Sequence, residues 1–260
     1  MNPAPPPTDC LVELTGVILP ASPLGGAAGT AIDWCLRAGD YWVVGGLHGS
    51  GKSQLIAVAG GLQPPASGTV RWFSEKVADL KEEELLRHRR RIAVVFDRGG
   101  RVFNQLSVFE NIALPLRYHH NGSHEQAEPK VEAMIGLLEL GSCAHQTPRS
   151  LNQSWQLRVG LARALVMQPE VLLIDNPFLG LEFRHRQWWI DFLRQASAGA
   201  PFTGGTPMTI VVTTDHFHPW LEAGKQFAVL KNRHWHVLGS RAELAEQRQE
   251  GMGHLEFEEI

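Results

Sequence analysis

The word Gly46-Leu47-His48-Gly49-Ser50-Gly51-Lys52-Ser53 constrains this chain more than any other feature. It matches G-x-x-x-x-G-K-[ST] and stands between the apolar run Tyr41–Val44 and the helix-like Lys52–Ala59, so it reads strand, glycine-rich loop, helix. Glycines let the backbone curl until several N–H groups converge on one phosphate, and the following helix adds its positive end. In that setting Lys52 would reach the β- and γ-phosphates of a nucleotide, and Ser53 would hold Mg²⁺. Gly46, Gly49, Ser50, Gly51 and Gln54 complete the expected nucleotide-binding set.

A second element supports the first. Val171-Leu172-Leu173-Ile174 is a buried-strand pattern ending in Asp175, and a carboxylate at the end of such a strand can hold Mg²⁺ or its water at the sheet edge. Many buried strands end in Asp, so the pairing with Gly46–Ser53 is what gives Asp175 its meaning.

The rest of the chain reads as alternating strands and helices. Leu11–Leu19, Thr30–Leu36, Thr69–Phe73, Ile92–Phe96 and Met208–Thr213 are strand-like, and Phe227–Leu230 with Trp235–Leu238 suggest a closing hairpin. Helical patterns cover Val108 to about Ser150 with a break at Asn121-Gly122-Ser123, then Gln153–Met167, Glu182–Ala198 and Arg241–Gln249. Apolar strands between helices imply a mostly parallel α/β sheet with an antiparallel β portion, and the helical middle, about 100–165, implies an inserted lobe. The expected organisation is one domain over 9–250, flanked by flexible tails at 1–8 and 251–260.

Composition excludes several classes. At 260 residues and 43% hydrophobic the chain can bury a sizeable core, and a net charge of -3 provides no basic field for direct nucleic-acid binding. The basic run Arg87-His88-Arg89-Arg90-Arg91 reads as a solvated helix end. The proline-rich start Met1–Pro7 lacks the pattern of a signal peptide, and no stretch of about 18 apolar residues appears. Cys10, Cys35 and Cys143 are odd in number and widely spaced, which fits no disulfide framework or zinc site and suits a reducing compartment. Cys143 with His145, and His234 with His236, lack the partners a metal site needs. Trp188-Trp189 lies in an apolar helix pattern and is expected to pack or to meet a partner helix.

With these motifs the chain, from about Val12 to Leu244, resembles the ATP-binding subunits of ABC transporters: a P-loop NTPase of the ABC-ATPase type. The words that carry the resemblance further are Val108–Leu116, Val159–Leu165 with Pro169 after it, and Pro177-Phe178-Leu179-Gly180-Leu181. The resemblance implies ATP and Mg²⁺ as ligands, and a head-to-tail dimer, homo- or heterodimeric, with each ATP between one phosphate loop and the opposite signature loop. It also implies transmembrane permease partners and a cytoplasmic location, peripheral to the inner or plasma membrane through those partners. Val108–Leu116 is similar to the corresponding stretch of subunits serving lipid or amino-acid transport and assigns no cargo.

Against that resemblance the departures fall on catalytic positions. Where the family has a carboxylate after the strand-end aspartate, this chain has Asn176, whose amide can hydrogen-bond water but cannot accept its proton. Loss of a general base costs about 10²- to 10⁴-fold in rate. The signature L-S-G-G-Q corresponds to Leu151-Asn152-Gln153-Ser154-Trp155, where Gln153 and Trp155 add bulk and Asn152 could still cap the helix. Asp97 replaces the glutamine that senses Mg²⁺ and would be a candidate Mg²⁺ ligand, Thr214 replaces the switch histidine, and no aromatic stands at the adenine-stacking position near Val17. Asp97, Glu182, Asp215 and His216 are candidate substitutes, His216 foremost because it lies two residues past Thr214. The expectation is a subunit that binds Mg-ATP and hydrolyses it slowly or not at all. The alternatives are an active ATPase with relocated groups and a purely structural or regulatory subunit.

Overall fold

Alternation of side chains along Cys10–Ile18 (β1) puts Val12 and Leu14 in the core and leaves Glu13 and Thr15 less buried, the period of a strand with one face covered. This computed structural model describes residues 10–21, 29–97, 101–120 and 124–244; the tails expected at 1–8 and 251–260, and the helix break at 121–123, lie outside them. β1 is central to an antiparallel sheet with Ile32–Arg37 (β2), Ser67–Trp72 (β4) and Glu75–Lys76 (β5), in the order β2-β1-β4-β5.

Tyr41–Gly45 (β3), Val171–Ile174 (β7) and Thr209–Thr214 (β8) are buried along their whole length, as strands covered on both faces must be. With Ile92–Val95 (β6), Gln226–Lys231 (β9) and His234–Ser240 (β10) they form a second sheet, ordered β10-β9-β3-β8-β7-β6. Its pairings are parallel except for the closing β9–β10 hairpin. Period-two alternation splits this sheet between two cores. Trp42, Val44, Val171 and Leu173 face one that includes β1, β2, β4 and the helix Lys52–Ala59 (α1). Tyr41, Val43, Leu172 and Ile174 face the other, built with Val108–His120 (α3), His124–Leu137 (α4), Gln153–Leu165 (α5) and Phe183–Ser197 (α6).

The expected α/β architecture with an antiparallel portion and a helical lobe is therefore the one found, and α1 has the bounds read from the sequence. Of the final helix, residues 241–244 are helical and the remainder lies outside the described residues.

Two expectations are corrected. Cys10 and Cys35 form a disulfide across β1 and β2, with Cα atoms 5.5 Å apart, while Cys143 is a buried free thiol. A separation of 25 residues in sequence hid this, because adjacency came from antiparallel pairing of two strands. The basic run at the end of Glu82–Arg89 (α2) is only partly solvated. His88 is 2% exposed and stacks on Phe73 at 5.3 Å, while the Arg91 guanidinium lies 3.3 Å from the centroid of the Phe73 ring and bonds Glu170 in bidentate fashion. Trp189 is wholly buried and Trp188 stacks on Phe192 at 5.1 Å, so both tryptophans serve internal packing.

Candidate nucleotide-binding site

Parallel register brings the working loops to one sheet edge. Gly45 pairs with Thr214, and Val95 with Ile174, so the segments after β3, β6, β7 and β8 all leave the sheet at its carboxyl end, where ligands bind in open α/β sheets. Gly46 then donates its N–H to the Thr214 carbonyl at 3.2 Å. A Cβ on Gly46 would lie 2.5 Å from both the Leu230 carbonyl and Ser50 Oγ, so only glycine fits there. Gly51, in the left-handed region at φ 108°, turns the chain into α1, whose N-terminus has no side-chain cap. Its first N–H groups are left for an anion.

Lys52 is 6% exposed and folded back over the loop. Its Nζ donates to the carbonyls of Gly46 at 2.5 Å and Leu47 at 3.0 Å, and pairs with Asp215 Oδ1 at 2.9 Å. Asp215 Oδ2 in turn accepts the Asn176 side-chain N–H at 2.7 Å. Burial alone would raise the Asp215 carboxyl, but the hydrogen bonds from Lys52 and Asn176 and the Lys52 charge outweigh it and hold the group below its ordinary value. Asn176 sits at φ 40°, a left-handed conformation that asparagine tolerates better than most side chains. Its backbone N–H donates to Thr213 Oγ1 at 3.0 Å, and that hydroxyl donates to Asp175 Oδ1 at 2.8 Å. One connected network thus joins the ends of β3, β7 and β8.

Asp175 is 3% exposed, and burial raises its carboxyl despite hydrogen bonds from Ser53 and Thr213; the neighbouring Asp97 charge pushes the same way. A buried carboxylate beside a loop hydroxyl and a second acid is a site that a divalent cation would stabilise, and Mg²⁺ in phosphate loops uses few protein oxygens, its other ligands being phosphate and water. The fit to Mg²⁺ is good: Ser53 and Asp175 would hold it, with Asp97 close enough to contribute charge. Among the described residues no group of three or more His, Cys, Asp and Glu side chains forms a separate metal site, so the Cys143/His145 and His234/His236 pairs stand alone.

The remaining candidates are placed less directly. Thr214 is buried, and its hydroxyl is used within its own turn, donating to the His216 carbonyl at 2.9 Å and accepting the His216 N–H at 3.1 Å. His216 itself is exposed, and its charge helps to lower the Asp215 carboxyl. Glu182 is the residue before α6, where its carbonyl accepts the His185 and Arg186 N–H groups at 3.1 Å, and no described hydrogen bond or ion pair joins its side chain to the Lys52–Asp215–Asn176 network. Val17 is fully buried in the core, so a base cannot stack on it; Leu19 is the side chain that packs by the loop, 3.3 Å from where a Gly51 Cβ would sit. The residue that sequence reasoning underrated is Asp215, since its pairing with Lys52 depends on β3 and β8 being neighbours.

In the signature-like segment Asn152 is the N-cap of α5, and its Oδ1 accepts the Trp155 N–H at 3.2 Å. The bulk at Gln153 and Trp155 is drawn back into the subunit. Gln153 Nε2 donates to the Leu179 carbonyl at 2.8 Å, and Trp155 meets His185 edge-on at 6.0 Å. Arg158, buried, places its guanidinium 4.8 Å from the Trp155 ring and 3.8 Å from Trp188, with Nη1 bonded to Glu139 at 2.7 Å. Leu151–Trp155 is thereby tied to α6 and to the loop after β7.

Fold and site together define a nucleotide-binding α/β cassette with a helical lobe. The chain belongs to the ABC transporter family, whose sequence model matches residues 30–179. It is 34% identical over 169 residues to the methionine import ATP-binding protein MetN 1 of Acinetobacter baylyi, covering 63% of this chain and 46% of that protein. It is 31% identical over 197 residues to the trimethylamine N-oxide transport system ATP-binding protein TmoW of Ruegeria pomeroyi, covering 75% of this chain and 55% of that one. The chain thus spans about half the length of these curated relatives. The dimeric ATP-binding cassette MJ0796 bound to ADP and Pi superimposes with a TM-score of 0.75 at 26% identity, over 86% of this chain and 96% of that one. Among the described residues, no helix is long and apolar enough to cross a membrane.

Proposed function

We propose that this chain is the nucleotide-binding subunit of a membrane transport complex, holding Mg-ATP at Gly46–Ser53 and turning it over slowly or not at all. The observation that carries the second half is the Asn176 amide, whose N–H is donated to Asp215 at 2.7 Å. A donor at that position cannot take a proton from water, and Thr214, at the family's switch position, spends its hydroxyl on its own turn. Partnership with transmembrane permease subunits and pairing with a second cassette, identical or different, follow from the relatives and remain part of this proposal. In a homodimer both composite sites would carry Asn176 and the altered Leu151–Trp155. With an intact partner each site would still receive one altered half.

Purified chain, alone and with its partners, is expected to bind Mg-ATP while releasing phosphate below about 1 s⁻¹, the lower end of ordinary enzyme turnover; turnover at or above that rate overturns the reading. Asn176→Glu is expected to change turnover less than threefold or so, because catalytic groups act as a unit and the other altered positions remain. There is also a local reason. The new carboxylate would face Asp215 across a gap now bridged by a hydrogen bond, and like charges so placed oppose one another. A gain of about a hundredfold or more would instead mean that Asn176 alone limits the reaction.

A further inference from the structure

The Lys52 ammonium is already engaged inside the chain. Two of its three N–H donors go to the Gly46 and Leu47 carbonyls, and the Asp215 carboxylate forms an ion pair with it at 2.9 Å. A phosphate that comes to Lys52 must therefore displace one of them or share its charge with an anion already in place. Of these partners, Asp215 is the only anion, and it is held from behind by Asn176.

The side on which Asp215 stands is informative. It follows β8 and is tied to Asn176 after β7, on the flank of the loop where Asp175 and Ser53 meet. Lys52 is the residue expected to meet the outer phosphates, so a terminal phosphate drawn to it competes with the Asp215 carboxylate for the same ammonium.

We propose that Asp215 is the residue that sets the preference of this site between nucleoside di- and triphosphates, by standing in for the terminal phosphate on Lys52, with Asn176 as the residue that positions it. The inference rests on the reading of Gly46–Ser53 as a nucleotide site. A diphosphate brings Lys52 only its β-phosphate, which can share the ammonium without breaking the Lys52–Asp215 pair. A triphosphate has to break it and tolerate the displaced carboxylate nearby. Asn176 is matched to this arrangement, because its amide donates to the carboxylate where a glutamate would repel it.

The test is equilibrium binding of Mg-ATP and Mg-ADP to the full chain carrying Asp215→Ala, Asp215→Asn or Asn176→Ala, compared with the unaltered chain. Asp215→Ala is expected to raise affinity for ATP by about tenfold or more, and for ADP by less than about threefold; tenfold corresponds to about 1.4 kcal/mol. Asp215→Asn, which keeps the shape but removes the charge, is expected to follow it. Asn176→Ala, which leaves Asp215 but frees it, should show a smaller ATP-selective gain, and it keeps the question open to test if the Asp215 variants fail to fold. Equal gains for both nucleotides, no gain, or a loss of ATP binding in folded variants overturns the proposal while leaving the nucleotide site intact. If neither the unaltered chain nor any folded variant binds either nucleotide, the nucleotide-site reading itself fails.

Discussion

Lys52→Ala is expected to weaken binding of Mg-ATP by about a hundredfold or more, equivalent to about 2.7 kcal/mol. Two effects act in the same direction. The substitution deletes the ammonium that would meet the phosphates, a charge-assisted contact of the stronger kind. It also strands Asp215, whose carboxylate is now 2.9 Å from Nζ and would afterwards face incoming phosphate without neutralisation. Titration with a fluorescent nucleotide reads the loss directly, and a change below tenfold would mean that Gly46–Ser53 is not where the nucleotide binds. The double variant Lys52→Ala/Asp215→Ala separates the two effects. It should recover part of the loss, because removing the stranded carboxylate removes the repulsion.

The largest stability effect is expected at Trp72. This residue of β4 is wholly buried, and its Nε1 donates to the Ala59 carbonyl, the last residue of α1, at 2.8 Å. It is thus the pin between the antiparallel sheet and the helix that follows the phosphate loop. Trp72→Ala opens a large cavity and orphans that carbonyl, which should cost about 3–5 kcal/mol. Trp72→Phe keeps most of the volume and should cost less, while Leu62→Ala, at a side chain 50% exposed, should stay within about 0.5 kcal/mol. Denaturant midpoints for the three variants check the order. Equal destabilisation by Trp72→Ala and Leu62→Ala would contradict the packing described for β4.

The chemistry of single segments was legible before any coordinates. The phosphate loop has a glycine where backbone must approach backbone, Gly46, and another where φ is positive before a helix, Gly51. Those demands are local, so they leave a local mark. The same holds for the buried runs of β3 and β7, whose mostly apolar character follows from being covered on both faces, whereas β8 is equally buried but carries Thr209, Thr213 and Thr214. The lack of a proton acceptor at Asn176 is likewise a property of one residue, readable by its type.

What the sequence by itself determined, then, is the phosphate loop, the strand-end Asp175, the alternation of strands and helices and the amide at position 176. Only the tertiary structure decided who meets whom. Lys52 reaches Asp215 because β3 and β8 are neighbours in register, and Asn176 reaches it because β7 lies next to β8. Cys10 meets Cys35 because β1 and β2 pair antiparallel. Hydrogen bonds and ion pairs act over a few ångströms, and that proximity is set by strand order rather than by distance along the chain. For that reason His216, the substitute foremost in the sequence reading, yields to Asp215 as the charged group that touches the phosphate-loop lysine.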